Sequence, residues 1–180
     1  MRPSHAGRLL ISRPELSDPN FDGTVTLMIQ HDESGAFGLV LNRPIELPVA
    51  EAFEGWEPLV GANGTIFSGG PVETDALIAL GLSEDTEGDL VLGLHSVDLS
   101  ESPVQAIAGG IVAVRIFAGY AGWGAGQLEG ELASGAWWIV DAEQGDAFVE
   151  PASDLWPRVL KRGGGDMAWF AHRPEDPSLN

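Results

Sequence analysis

Apolar residues fall in short runs along this chain, cut by glycines, prolines and acidic turns. That pattern predicts strands and short helices, with no long amphipathic helix. Residues 8–13 (RLLISR) read as a buried strand ended by Pro14, and 15–21 as a turn in which Pro19 fixes φ. Residues 24–31 (TVTLMIQH) read as a strand and 32–35 as a hairpin-like loop. Residues 37–42 (FGLVLN) form the returning strand, ended by Pro44. A short helix with proline in its first turn fits 48–53. Residues 61–64 read as a loop, and 65–68 as a short strand stopped by Gly69, Gly70 and Pro71.

Residues 76–82 (ALIALGL) suit a strand or a helix by period alone; the acidic loop directly after them favours a strand. Residues 90–95 read as another strand, 103–108 as a short helix capped by Ser102, and 110–120 as the longest strand. A helix over 126–134 places Leu128 and Leu132 on its core side, with Gln127 and Glu131 together on another face. Then come a strand over 136–140 (AWWIV) and a short edge element over 146–150. A helix over 154–162 stops at three glycines, and a final strand covers 167–171. Strands and helices do not alternate regularly, which disfavours a doubly wound parallel sheet. The expected fold is α+β: one compact domain over 6–172 with a mixed, largely antiparallel sheet flanked by short helices. A C-terminal tail from 173 to 180 follows it.

The chain has 180 residues, enough for one domain with a sizeable core. It contains no cysteine, which removes disulfides, thiolate catalysis, cysteine-ligated zinc and iron–sulfur clusters. Its 27 Asp and Glu outweigh 9 Lys and Arg, for a formal net charge of -18. Affinity for nucleic acid rests largely on clustered cations, so direct contact with DNA is not expected. The nearest approach to a cluster is Arg158, Lys161 and Arg162, solvated residues near a helix C-terminus whose dipole favours cations. Leu9 to Ile11 is too short for a signal-peptide core, and the run from Gly109 to Trp123 is broken by Arg115. A cytosolic protein without membrane contact is expected.

The run from Gly119 to Glu129 follows an apolar strand, turns on glycines and opens a helix, the local plan of a phosphate-binding turn. However, Gly122-x-Gly124-x-Gly126 does not match a dinucleotide fingerprint, and the chain has no Gly-Lys-Ser/Thr. The same glycines serve close packing of Tyr120 and Trp123. His5, His31, His95 and His172 form no metal motif. His31 and His95 each end a predicted strand, where a histidine acts as a base or, more commonly, as a hydrogen-bonded structural residue. His95, Ser96 and Asp98 lie too close on extended chain to make a catalytic triad. Asn42-Arg43-Pro44 and Ser68-Gly69-Gly70-Pro71 end two strands; Arg43 is either an anchor for an anion or the partner of a carboxylate such as Glu46. Trp137 and Trp138 put one indole on each face of a strand, giving one to the core and the other to a partner or a second copy. No cofactor or metal is implied.

In order, these motifs carry a family resemblance. Arg8 to Pro14, then Leu16, Asp18, Pro19 and Phe21, lead to Thr24-Val25 and His31. Gly35-Ala36 and Gly38-Leu39-Val40-Leu41-Asn42-Arg43-Pro44 follow, then Gly69-Gly70-Pro71-Val72. Gly119-Tyr120-Ala121-Gly122-Trp123 and Gly126-Gln127-Leu128-Glu129 complete the set. It resembles the YqgE/AlgH family, also called UPF0301, over roughly residues 6–170. The resemblance implies a compact α+β domain with a bent or barrel-like sheet, a bacterial cytosolic setting and a label of transcriptional regulator. No helix-turn-helix with a basic second helix accompanies that label here. Ile29 stands where many relatives carry a Cys, so a thiol-based role does not apply. Residues 75–81 replace a stretch that in many relatives holds Arg-Gly and an apolar run ending in His.

The leading expectation is a non-enzymatic protein that binds a protein or a small molecule through strand-end turns. Its candidate patch is His31, Asn42, Arg43, Gly69, Gly70, Pro71, Tyr120, Trp123, Gln127 and Glu131, with self-association as a further option. The alternatives are a transcriptional regulator, and a hydrolase or transferase with His31 or His95 as base and Glu131 or Asp98 nearby.

Overall fold

A computed structural model describes residues 3–15, 18–61 and 64–171. The expected tail at 173–180 lies outside the described residues. Strands β1 (Arg8–Ser12), β2 (Val25–Asp32) and β3 (Gly35–Val40) form an antiparallel set. An edge strand β4 (Pro44–Pro48) pairs with β5 (Thr65–Ser68), and the short helices α1 (Val49–Ala52) and α2 (Glu57–Val60) lie between them in sequence. Then come β6 (Val72–Ser83), β7 (His95–Ser96), α3 (Pro103–Ala108) and the long central strand β8 (Ile111–Gly124). The last elements are α4 (Gln127–Ala133), β9 (Trp137–Asp141), α5 (Leu155–Gly163) and α6 (Gly165–Phe170).

The strand order is β4-β5-β8-β3-β2-β1-β9, with β6 on β8 and β7 on β6. Among the described residues β5–β8 is the one parallel pairing; the rest are antiparallel. The path has two free ends, so the sheet is open and not a closed barrel.

Both faces of the sheet are covered, which explains why β1 shows no polar alternation. Leu9 and Ile11 pack with Leu27, Leu39 and Phe117 beneath Leu155, Val159 and Leu160 of α5. Leu10, on the other face, joins Met28, Trp123, Trp137 and Leu128 of α4. A third cluster sets Val49, Trp56 and Leu59 against Ile66, Val114 and Ile116. Adjacent Ile116 and Phe117 thus feed different clusters, as alternation along a strand requires.

Several elements depart from the sequence expectation. Residues 90–95 fold into a 3₁₀ turn over Val91–Gly93 and the two-residue β7. Leu92 and Gly93 take φ of 59 and 70, which brings the Leu90 N–H to the Leu94 carbonyl at 2.9 Å. A short apolar run carries no period that would reveal this. For the same reason residues 167–171 were readable as a strand, yet α6 starts again after α5 across Gly164 (φ 71). The chain beyond Pro44 remains paired as β4, an edge position where proline's missing N–H is tolerated. The element expected at 146–150 is a 3₁₀ turn over Gln144–Phe148. Arg162 is not a solvated helix-end cation. Its guanidinium donates to both oxygens of buried Asp146, at 2.7 and 2.8 Å, and to Glu143 at 3.1 Å, tying α5 to that turn.

Candidate functional site

The glycine-rich run is strand for most of its length. β8 continues to Gly124, and only Ala125 and Gly126 turn before α4 opens, so no phosphate-type loop forms. Near Gly119 one edge of β8 exchanges β5 for β3 as its partner. A Cβ on Gly69 would strike the Gly119 carbonyl, and one on Gly70 the Tyr120 carbonyl; Gly119 itself holds φ 75. The two glycine motifs are therefore a single backbone crossing that a side chain would block. The Gly69 carbonyl accepts from the Val40 N–H at 2.9 Å, and the Gly69 N–H donates to the Ala118 carbonyl at 2.8 Å. Pro71 is exposed beside this crossing, and the Tyr120 ring packs on Phe37 at 4.9 Å.

Asn42 and Arg43 serve the same junction. Asn42 Oδ1 accepts from the Val25 N–H at 2.9 Å, and its Nδ2 donates to the Gly23 carbonyl at 3.0 Å. The Arg43 guanidinium donates to the carbonyls of Pro19, Asn20 and Asp22, not to Glu46. Both side chains fasten the loop before β2 to the end of β3.

A second group sits under α4. Trp123 Nε1 and Trp137 Nε1 both donate to Glu131 Oε2, at 2.8 and 2.9 Å, while Gln127 Nε2 donates to Oε1 at 3.2 Å. Gln127 Oε1 in turn accepts from the Gly124 N–H at 3.0 Å. These bonds, with Leu128 below, dock α4 on β8 and β9. Trp138 is not an exposed indole. It packs on Phe170 at 5.5 Å and carries the Arg13 guanidinium over its face at 5.2 Å.

His31 finds a partner the sequence reading did not select. Its Nδ1 accepts from the His5 N–H at 3.0 Å, which leaves the ring proton on Nε2, 2.8 Å from Glu129 Oε1. The His5 ring stacks on His31 at 5.4 Å, and burial, supported by the nearby Arg8 charge, pushes the His5 pKa down. Both His31 nitrogens are thus engaged, and its carboxylate is Glu129, not Glu131. His95 Nε2 lies 3.3 Å from Thr86 Oγ1, and Asp98 accepts from Ser100. No base–carboxylate pair of the expected membership forms. Among the described residues no group of three or more His, Cys, Asp or Glu is placed to hold a metal ion.

Two cavities lie elsewhere, toward the other end of β8. Two adjoining lobes of about 460 and about 200 Å3 share Val60, Gly61, Gly64, Thr65, Phe67 and Glu150. Of the expected patch only Asn42 reaches the larger lobe. Arg115 lines the smaller lobe with its side chain 9% exposed. It donates to the Val149 carbonyl at 3.2 Å and to Glu150 Oε1, and stands over the Phe67 ring at 4.2 Å. Burial pushes its pKa down while Glu150 supports the charged form. From Arg115 to Trp123 is eight residues of strand, at most about 26 Å. The one sequence signal for this site was a lone arginine inside the longest apolar run.

An open mixed sheet covered on both faces, with a glycine crossing at its central strand, defines a single-domain α+β protein. The model of the family described as AlgH-like matches residues 9–168, and the chain belongs to that family. A UPF0301 protein of Streptomyces avermitilis is 46% identical, covering 98% of this chain and 96% of its own. One from Mycobacterium tuberculosis is 38% identical, covering 97% of this chain and 90% of its own. The solution structure of the AlgH protein from Pseudomonas aeruginosa matches at TM-score 0.65 and 35% identity, over 98% of this chain and 97% of that one. A crystal structure from Corynebacterium diphtheriae matches at TM-score 0.84 and 25% identity, over 96% and 94%. Among the described residues no helix is long and apolar enough to cross a membrane.

Proposed function

We propose that the protein acts by binding a small molecule in the Arg115 cavity and not by hydrolase or transferase chemistry. The observation that carries this reading is a nearly buried guanidinium lining a lobe of about 200 Å3 that opens beside a second lobe of about 460 Å3, the larger one within the ligand-site range of roughly 300–1,000 Å3. Support also comes from the engagement of both His31 nitrogens and the filling of Glu131 by three N–H donors. A regulatory role would run through the liganded state and a protein partner. Arg8, Arg13, Arg43, Arg115 and Arg162 are all engaged within the molecule, and the acidic surface disfavours DNA. A fragment screen by heteronuclear NMR tests the reading. Perturbations are expected at Thr65, Phe67 and Arg115, and alanine at Arg43, Trp123 or Gln127 should lower stability without changing ligand capture. Binding centred on His31 and Glu129 would overturn it.

A further inference from the structure

We propose that the ligand is a monocarboxylate with an apolar body, and that Glu150 is the chain's own occupant of the carboxylate position. This rests on the cavity reading above and names the chemistry of its ligand. Among the residues lining the two lobes, Arg115 is the one cation. A guanidinium presents planar N–H pairs that match a carboxylate edge. Phe67 covers one face of that plane, so recognition runs through the N–H edge. Two of its five N–H groups meet Val149 and Glu150, leaving the others for a ligand.

The Arg115–Glu150 pair is lopsided. The Glu150 side chain is 70% exposed and the Arg115 side chain 9%. Glu150 can swing its carboxylate into water with full hydration, whereas the guanidinium stays in the cavity and needs a counter-charge there. A ligand carboxylate that enters releases the first and satisfies the second. Leu59, Val60, Phe67 and Phe148 supply apolar wall for the rest of such a molecule. A phosphate dianion or a nucleotide brings charge that no second cation in the cavity meets, in a molecule already at -18.

The test compares wild type with Glu150→Gln, an exposed substitution compatible with folding. Each is titrated with sodium benzoate, benzamide and sodium phosphate while the Arg115 Nε–H and the Thr65 and Phe67 amides are followed by NMR. Benzoate is expected to shift all three signals and to bind about two- to fivefold tighter in the variant, the worth of removing one partly exposed competing ion pair. Benzamide and phosphate should leave them in place. Glu150→Gln should also melt at a lower temperature, and benzoate should recover more of that loss than it adds to wild type. Equal benzoate affinity in the two proteins, or binding of benzamide or phosphate as strong as benzoate, overturns the proposal. If neutral fragments fill the cavity while benzoate shows no dependence on residue 150, the binding site stands and the Glu150 exchange falls. If no compound shifts the cavity signals in either protein, both readings fall.

Discussion

The Glu131 carboxylate accepts from two indoles that come from different strands, and from Gln127 one turn earlier on its own helix. Glu131→Ala would leave the Trp123 and Trp137 N–H groups without that acceptor. A loss of about 2–4 kcal/mol is expected in urea unfolding followed by tryptophan fluorescence, from two part-buried donors at about 1–3 each with some relaxation. The i, i+4 relation of Gln127 and Glu131 was legible, because helix geometry alone sets it. The indole of Trp137 was not, because it depends on where β9 lies beside α4. His5 carries a second residue-scale expectation. Burial, helped by Arg8 and opposed by Glu129, holds its folded-state pKa below the ordinary 6.5, so the undocked segment binds more protons. The stabilisation is fully present above pH 6.5 and declines as pH falls below it. The protection factor of the His5 amide should fall over that range, and His5→Phe should flatten the slope while keeping the ring stack.

At the scale of elements, the glycines of β8 are not equivalent. Gly119 sits at φ 75, where a Cβ would strike the Gly70 carbonyl, whereas Gly122 is exposed and a Cβ there would meet the Tyr120 ring at an ordinary 3.5 Å. Gly119→Ala should cost about 2–5 kcal/mol, from the left-handed backbone and the clash together. Gly122→Ala should stay within about 1 kcal/mol. Paired urea melts decide this, and equal costs would remove the crossing as the reason for the motif. The contact of α5 with the 3₁₀ turn over Gln144–Phe148 rests on Arg162. Arg162→Met leaves buried Asp146 without its cation and should cost about 3–5 kcal/mol by the same measurement. Strands with β-branched runs and the capped helix after Ser102 were readable because local sterics and hydrogen bonds specify them. Residues 90–95 and 167–171 were not, since strand and helix compete evenly for a short apolar run until packing decides.

For the whole molecule, the net charge of -18 sets up self-repulsion that salt relieves. The melting temperature should rise as sodium chloride goes from about 0.02 to about 0.5 M, the opposite of a fold held by surface ion pairs. A fall over that range would show that pairs such as Arg8–Asp141 outweigh the repulsion. Composition and contacts between neighbours along the chain set the α+β class, most strands, the helix at 127–133 and the absence of thiol chemistry, while the family was marked by the resemblance of its ordered motifs. Folding alone brings Arg115 to Glu150 across 35 residues and His31 to Glu129 across 98. Such pairs depend on strand order and register, which are settled by which arrangement covers both faces of the sheet. No local pattern encodes that choice, so the motifs that mark the family located its framework and left its cavity unmarked.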